Sequence, residues 1–238
     1  MSSWHNGGVS VFQSLRAVFH PSDAPAIRMP ARLPERPVIV ASGGVAAQPP
    51  IYLRPLTLDD EDEWNAVRWD NRDWLAPWDS GDPTHGAPLT FNTWIQRQRR
   101  SEEQGAGALF GIIHNGRIVG QISLGAISYG SMRTGVVGYW VSRQVAGHGF
   151  APLALALLAD WALADPDGPR LHRLEIAILP ENYRSRRVVE KIGAHHEGLR
   201  PKYMYINGRW RDHETYSLLA EDAGEGFAAR LMAARRSA

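Results

Sequence analysis

The sequence contains no cysteine in its 238 residues. This absence excludes disulfide bonds, a thiol nucleophile and thiolate metal sites together. A chain without cysteine is also typical of a reducing compartment, where disulfides are rare. We therefore expect a cytoplasmic location.

Two further absences narrow the function classes. No stretch approaches the roughly 18 consecutive apolar residues of a membrane-spanning helix, so we expect no membrane partner. The formal net charge of +1 at pH 7 gives no broad positive field, so we expect no direct contact with nucleic acid. Hydrophobic residues make up 44% of the chain, which is enough for a buried core.

Proline content divides the chain. Prolines recur from Pro21 to Pro50, and residues 1–49 show little periodic pattern apart from that of a short helix around residues 11–19. We therefore predict a Pro-rich N-terminal extension over residues 1–49. The patterns sharpen at Ile51 and predict a folded domain over residues 50–221, followed by a C-terminal helical tail over residues 222–238.

Hydrophobic periodicity predicts a mixed α/β (α+β) fold, with an antiparallel meander, a strand–helix–strand crossover, another helix and a closing hairpin. The pairs Asn115-Gly116 and Asn207-Gly208 favour the positive-φ turns of two-residue hairpins. The segment Asp70–Pro88 is rich in Trp, Asp, Gly and Pro and is predicted to be a loop. The expected strands are Ile51–Arg54, Leu109–His114, Arg117–Leu124, Val136–Ser142, Leu171–Leu179, Leu199–Ile206 and Arg209–Leu219.

The strand Val136–Ser142 runs into a glycine-containing turn and then into a helix with an apolar stripe from Leu153 to Leu163. Gly147 and Gly149 let the backbone close on a ligand without a Cβ in the way. A helix start adds unpaired N–H groups and a positive dipole end, which favour a phosphate. The dinucleotide fingerprint is excluded because Pro152 replaces its third glycine, and the Walker motif is absent. A purely structural turn remains the alternative.

Three arginines crowd the start of a second predicted helix. Asn182 is expected to cap this helix, and Arg184, Arg186 and Arg187 lie in its first turn. The helix dipole disfavours cations there, so a purely structural role is mildly costly. The placement is explained if the arginines face a polyanion, although at least one of them can be a solvated surface residue.

Both segments resemble the GNAT superfamily of acyl-coenzyme A N-acyltransferases. Residues 144–149 match Q-x-x-G-x-G, which is similar to the pyrophosphate turn of that superfamily. Residues 180–194 are similar to its signature P-x-N-x-x-S-x-x-V-x-x-K-x-G-F. The one departure is Ala194, where an aromatic residue is usual, and it loosens a packing contact.

Three more segments resemble the Rim-type ribosomal-protein-alanine N-acetyltransferases, namely His172–Glu175, Glu197-Gly198 and Ile206–His213. The likeness covers roughly Ile51 to Ala220. This branch also holds enzymes with other amine acceptors. The resemblance therefore implies an acetyl-coenzyme A-dependent N-acetyltransferase, acting on the N-terminal α-amine of a protein such as a ribosomal protein.

The resemblance implies a GNAT fold, with a central mixed, mostly antiparallel sheet, a splayed parallel strand pair and flanking helices. Acetyl-coenzyme A, the expected co-substrate, would lie between the splayed strands, with its pyrophosphate on main-chain N–H groups. The histidines form no metal-binding spacing, so no metal is expected. The implied cofactor-binding residues are Trp140, Val141, Ser142, Gln144, Val145, Ala146, Gly147, His148, Gly149, Phe150, Ala151, Asn182, Arg184 and Arg187.

The resemblance also suggests the catalytic residues. Ser185 matches the serine of the signature and is expected to donate a hydrogen bond to the leaving thiolate. Asn182 is expected to contact the pantetheine as well as to cap its helix. Glu175 is the only carboxylate on the second splayed strand, and it is either the general base or the partner of Arg173 or another arginine.

The acceptor side is expected to come from the aromatic and acidic loop, through Trp74, Trp78 and Asp79, with His213 approaching the acceptor. Aromatic rings beside acids suit a cationic chain end. A protein α-amine has a pKa of about 7.7–8.0, so losing its proton at neutral pH costs only about 1 kcal/mol. A lysine amine would cost about 4–5 kcal/mol, so the absence of an obvious buried base favours α-amines.

Two rival functions stay open. A small-molecule amine acetyltransferase, acting on an antibiotic, a polyamine or an amino acid, would need a closed pocket rather than an open groove. A non-catalytic acyl-coenzyme A-binding regulator would bind the ligand without turnover. The sequence also leaves a homodimer open.

Overall fold

The structure, a computed structural model, describes residues 36–38, 48–84 and 89–236. The rest of the predicted extension, including the helical pattern around residues 11–19, lies outside the described residues, as do residues 85–88 of the predicted loop. Among the residues described, no helix combines the length and apolar character needed to cross a bilayer.

The described residues form one eight-stranded sheet with the strand order β1-β2-β3-β4-β5-β6-β8-β7. Only β5 and β6 pair in parallel, so the expected mixed, mostly antiparallel sheet is confirmed. The strands are β1 Arg36–Val38, β2 Gln48–Pro55, β3 Ala108–His114, β4 Arg117–Ser128, β5 Thr134–Val141, β6 Arg173–Ile178, β7 His195–Ile206 and β8 Arg209–Leu219.

Six helices accompany these strands among the described residues: α1 Glu61–Asp70, α2 Arg72–Leu75, α3 Phe91–Glu103, α4 Phe150–Ala159, α5 Tyr183–Lys191 and α6 Phe227–Arg236. A π-helical turn, Asp160–Ala164, continues α4. Thr90 caps α3 by accepting a hydrogen bond from the Thr93 N–H, as a threonine at this position commonly does.

Three sequence expectations differ from the structure. Strand β1 and the start of β2 lie within residues 1–49, which were predicted as an extension, and they pair with each other in the sheet. The segment Asp70–Pro88 is not one loop, because α2 and a 3₁₀ turn, Ala76–Trp78, lie within it and bury Leu75. Strand β7 begins at His195 rather than Leu199. Irregular pairing between His196 and Gly198 breaks the alternation there, which hid the strand start from the sequence pattern.

Helix α4 forms the centre of the core, since every one of its residues is buried. It packs with Phe110 of β3 on one face of the sheet, and Trp161 of the π-helical turn meets Phe110 edge to face at 5.2 Å. A second cluster, which includes Phe91 and Ile95 of α3, covers Ile113. Each fully buried aliphatic or aromatic side chain contributes about 1.5–3 kcal/mol, so both sheet faces are held by packing.

The parallel pairing between β5 and β6 stops early. It joins Thr134 to Arg173 and ends with Val136 opposite Glu175. Beyond that point β5 stays paired with β4 as far as Val141, and β6 stays paired with β8. The two strands therefore diverge, which confirms the splayed parallel pair, and their facing edges leave backbone groups without a strand partner.

Candidate active site

A cleft of about 1210 Å³ occupies the splay between β5 and β6. Its walls are the diverging ends of the two strands, the turn that leads into α4, one face of α5 and the segment that contains α2. This volume exceeds that of ordinary small-ligand pockets, so the cleft has room for an extended ligand.

The turn before α4 presents unpaired N–H groups to this cleft. Gly147 and Gly149 both have φ of 86°, a left-handed conformation that favours glycine. Hydrogen bonds inside the turn already occupy the N–H groups of Val145, Ala146 and His148. No protein acceptor pairs, within the described chain, with the N–H groups of Gly147, Gly149, Phe150 and Ala151, and all four residues line the cleft.

The predicted cofactor-binding residues of the turn do not all line the cleft. Val145 and Ala146 line it, whereas Gln144 and His148 are exposed and lie outside its lining. Ser142 is buried behind the strand end, and its N–H donates to the Val119 carbonyl at 2.8 Å.

Helix α5 places a hydroxyl pair at the cleft. Asn182 caps the helix as predicted, with its side-chain oxygen 3.1 Å from the Ser185 N–H. The Ser185 Oγ lies 2.8 Å from the Tyr139 hydroxyl, and both residues line the cleft. Burial raises the pKa of Tyr139, so its phenol keeps its proton. Sequence reasoning missed this tyrosine because nothing in the pattern pairs β5 with α5.

The three arginines of α5 do not share one environment. Arg184 and Arg187 line the cleft together with Lys191. The Arg184 guanidinium stacks 4.7 Å from the centre of the Trp74 ring, within cation–π range. Arg186 turns away and donates to the Pro180 carbonyl at 3.2 Å. The cleft wall therefore carries a concentration of positive charge beside the α4 N-terminus.

Glu175 is held in an ion pair outside the cleft lining. Arg200 of β7 donates to both of its carboxylate oxygens at 2.7 Å, and the Tyr203 hydroxyl donates to one of them at 2.7 Å. Arg173 pairs with Glu197 instead. Of the two predicted roles for Glu175, the geometry supports the arginine partner, with Arg200 as that partner. As a general base it would first have to leave this network.

The segment from Asn71 to Gly81, which we call the strap, crosses the cleft and is fixed at both ends. Near its start, Asn71 accepts from the Arg143 N–H at 2.7 Å, and the Trp74 indole donates to the Val141 carbonyl at 3.1 Å. At its end, the Gly81 N–H donates to the Tyr205 carbonyl of β7 at 3.0 Å. The strap therefore joins the end of β5 to the end of β7.

All four predicted acceptor residues, Trp74, Trp78, Asp79 and His213, line the cleft. The sequence analysis did not predict that α1 and β4 form another wall of the cleft. There the Trp64 indole donates to Gln121 at 3.0 Å. Beside it, Arg68 donates to Asp79 at 2.8 Å and lies 5.2 Å from the centre of the Trp140 ring. The i, i+4 spacing of Trp64 and Arg68 on one helix face is the signal that could have revealed this wall.

His213 is almost fully buried at 2% exposure. Its Nδ1 donates to the Arg211 carbonyl at 3.0 Å, since a carbonyl can only accept. Burial lowers the pKa of the imidazole, so the ring is neutral near pH 7. The described residues contain no cluster of His, Asp or Glu side chains arranged to bind a metal.

Comparison with known proteins gives three consistent matches. A family model described as an acetyltransferase (GNAT) domain matches residues 51–195. The chain is 31% identical to the probable N-acetyltransferase YjcK of Bacillus subtilis, over 72% of this chain and 95% of that protein. It is 26% identical to the ribosomal protein uS5-alanine N-acetyltransferase of Escherichia coli, over 68% and 85%.

Among solved structures, RimJ of Mycobacterium smegmatis in complex with CoA-disulfide has a similar fold. Its TM-score is 0.74 at 30% sequence identity, and the match covers 84% of this chain and 93% of that one.

The ion pair of Glu175 with Arg200 yields a stability prediction. In a double-mutant cycle of Glu175→Gln and Arg200→Gln, we expect a coupling energy of about 1–2 kcal/mol, since charge-assisted hydrogen bonds are lost but Arg200 is partly solvated. Urea unfolding of the four proteins measures it. The matched control exchanges Arg173 for Gln beside Glu175→Gln, and this pair should show no coupling. Equal coupling in both cycles would contradict the assignment.

Proposed function

The chain belongs to the GNAT acetyltransferase family, and from that premise we propose that it acetylates the N-terminal α-amine of a protein, such as a ribosomal protein. Acetyl-coenzyme A is the proposed acetyl donor. We assign the reaction to residues 50–221; of the flanking segments, Arg36–Val38 adds a strand to the sheet and Phe227 packs in the core.

The observation that carries this proposal is the row of unpaired N–H groups beside a basic cleft wall. Gly147, Gly149, Phe150 and Ala151 offer N–H donors at a helix start, which suits a diphosphate. Arg184 and Arg187 supply positive charge next to it. The open edge of β5 offers backbone groups to an amide-containing arm such as pantetheine. The residues present therefore fit the coenzyme.

The chain's own groups then have defined tasks. Bound acetyl-coenzyme A supplies a thioester carbonyl for direct attack by the acceptor amine. Positioning the amine against that carbonyl provides much of the rate. The Ser185 hydroxyl, supported by Tyr139, donates toward the departing sulfur, and an N–H near Trp140 or Val141 stabilises the negative oxygen.

Three features support a protein α-amine as the acceptor. The acceptor end of the cleft presents the rings of Trp74 and Trp78, which suit a cationic chain end, beside the Asp79 carboxylate that Arg68 holds. Among the described residues that line the cleft, no carboxylate is free of an arginine partner to act as the base that a lysine amine would require. Finally, two similar proteins carry ribosomal names, the ribosomal protein uS5-alanine N-acetyltransferase of Escherichia coli and YdaF of Bacillus subtilis, which is named a putative ribosomal N-acetyltransferase.

One observation favours the second candidate, a small-molecule amine acetyltransferase. The strap is fixed to β5 through Trp74 and to β7 through Gly81, so it covers part of the acceptor side. A covered site suits a compact amine better than a long peptide. A peptide would have to enter beside the strap with only its first residues inside.

The diphosphate site can be tested by replacing Gly147 with alanine. A side chain there has open space but a strained φ, so the N–H groups of the turn should shift. We expect acetyl-coenzyme A binding, measured by calorimetry, to weaken by about tenfold, the equivalent of roughly 1.4 kcal/mol. Gly116→Ala is the matched control, because Gly116 has a similar φ of 74° and open space but lies in the β3–β4 turn. Equal affinities for both variants would rule out the proposed site.

The acceptor can be identified by thiol release from acetyl-coenzyme A. The panel contains peptides beginning with Ala, Ser, Thr and Met, the same peptides with a blocked N-terminus, and common small amines. We expect turnover with free N-termini and none with their blocked forms. Turnover of small amines alone would support the second candidate. Binding of acetyl-coenzyme A without turnover of any acceptor would support a non-catalytic regulator.

The role of Ser185 predicts a separation of catalysis from binding. Ser185→Ala removes the hydroxyl that donates toward sulfur, so we expect kcat to fall by about 10²-fold, the usual scale for a lost proton donor. The dissociation constant of acetyl-coenzyme A should stay within about twofold. Ser128→Ala, in β4 away from the cleft lining, is the control and should keep full activity. A fall in affinity that matched the fall in kcat would contradict a catalytic role.

A further inference from the structure

We infer that His213 is the general base of the transfer reaction, accepting at Nε2 the proton that the acceptor nitrogen loses as it bonds to the acyl carbon. This inference rests on the proposed function and assigns to His213 a task beyond contact with the acceptor. It depends on the orientation of the ring and on the other groups in the cleft.

The hydrogen bond at Nδ1 fixes which ring nitrogen can act. Nδ1 donates to the Arg211 carbonyl at 3.0 Å, so it carries the hydrogen in the neutral ring. Nε2 then holds the free lone pair. No hydrogen bond to Nε2 is made by the protein groups that the structure describes, and the residue lines the cleft. The same hydrogen bond fixes the orientation of the imidazole.

The groups around His213 leave the ring neutral. Arg211 pairs with Glu181, which balances that charge, and the Asp212 carboxylate accepts the Lys202 backbone N–H. Arg200 of β7 lies opposite His213 in the pairing with β8, but its guanidinium is held by Glu175. The centre of the Tyr203 ring lies 6.0 Å from the centre of the His213 ring. Burial is the largest influence and lowers the pKa of His213 below the ordinary value of 6.5.

The other proton acceptors near the cleft are occupied. Glu175 is bound by Arg200 and Tyr203 and does not line the cleft. Asp79 accepts from Arg68 at 2.8 Å. Tyr139 keeps its proton because burial raises its pKa. Within the described lining of the cleft, His213 is therefore the group that is both neutral and unoccupied at its acceptor atom.

The step balances in atoms and charge. The neutral amine nitrogen bonds to the thioester carbon, and the carbon–sulfur bond breaks. One amine proton passes to His213 Nε2, which gives an imidazolium, and the sulfur leaves as a thiolate stabilised by the Ser185 hydroxyl. Solvent then removes the proton from the imidazolium and supplies one to the thiolate, which restores the enzyme.

The test uses His213→Asn, since the side-chain amide of asparagine can reproduce the Nδ1 donor to Arg211 but offers no base at the Nε2 position. With a peptide that the wild type acetylates, we expect kcat to fall by about 100-fold at neutral pH, the lower end for a lost general base. Acetyl-coenzyme A affinity by calorimetry should not change. His172→Asn is the control, because His172 is an exposed partner of Glu221, and it should keep full kcat.

The pH profile separates a base from a positioning residue. Both proteins need a neutral acceptor amine, so both kcat profiles should fall below the amine pKa of about 7.7–8.0. The wild-type profile should steepen again below about pH 6.5, as His213 gains a proton, and the variant should lack this second step. A merely structural histidine would leave the same profile shape in both proteins, and that result would overturn the inference.

An independent readout needs no turnover. Long-range proton–nitrogen NMR of the ligand-free protein should show, near pH 7, a His213 ring protonated at Nδ1 and bare at Nε2. A proton on Nε2 at that pH, or variant kcat within about threefold of wild type, would overturn the assignment of the base alone. If the wild type acetylates no peptide at all, the proposed function fails, and this assignment fails with it.

Discussion

Pairing between β5 and β6 ends after three residue pairs, and the arrangement of the cleft depends on that early end. Strand β5 stays paired with β4 and strand β6 with β8, so the divergence does not disturb the pairing in the rest of the sheet. What it leaves is two facing edges with backbone donors and acceptors that need partners. A ligand with amide groups along an extended chain can provide them, which supports our proposal that the gap is a binding site.

The same gap collects positive potential from two sources. Helix α4 begins at its mouth with N–H groups that have no protein partner, and α5 contributes Arg184 and Arg187. Cations in a first helical turn oppose the helix dipole, so the ligand-free protein must hold them by other means. Trp74 does this for Arg184 by stacking, and the Pro180 carbonyl does it for Arg186. An anionic ligand in the cleft would offer Arg184 and Arg187 stronger contacts.

Local signals in the sequence predicted much of this architecture. The Asn-Gly turns, the glycine turn before α4 and the Asn182 cap depend on residues close in sequence, whose preferences are strong enough to be read directly. The contacts of the site join distant segments instead. The hydroxyl pair of Ser185 and Tyr139 spans 46 positions, and the bond from Trp74 to Val141 spans 67. The sequence also left open which arginine pairs with Glu175. That partner lies on a different strand, and irregular pairing in β7 determines which of its residues faces Glu175.

The proposed preference for a protein α-amine has a thermodynamic basis in the ionisation of the acceptor. At pH 7, forming the neutral amine that attacks the thioester costs about 1 kcal/mol for an α-amine of pKa about 7.7–8.0. A lysine amine of pKa about 10.4 would raise that cost to about 5 kcal/mol. The difference exceeds what one hydrogen bond contributes, so it persists whatever contacts a lysine chain makes in the cleft. In the proposed reaction the cost of neutralising the acceptor therefore favours α-amines, while the strap would limit the shape of the acceptor that can enter.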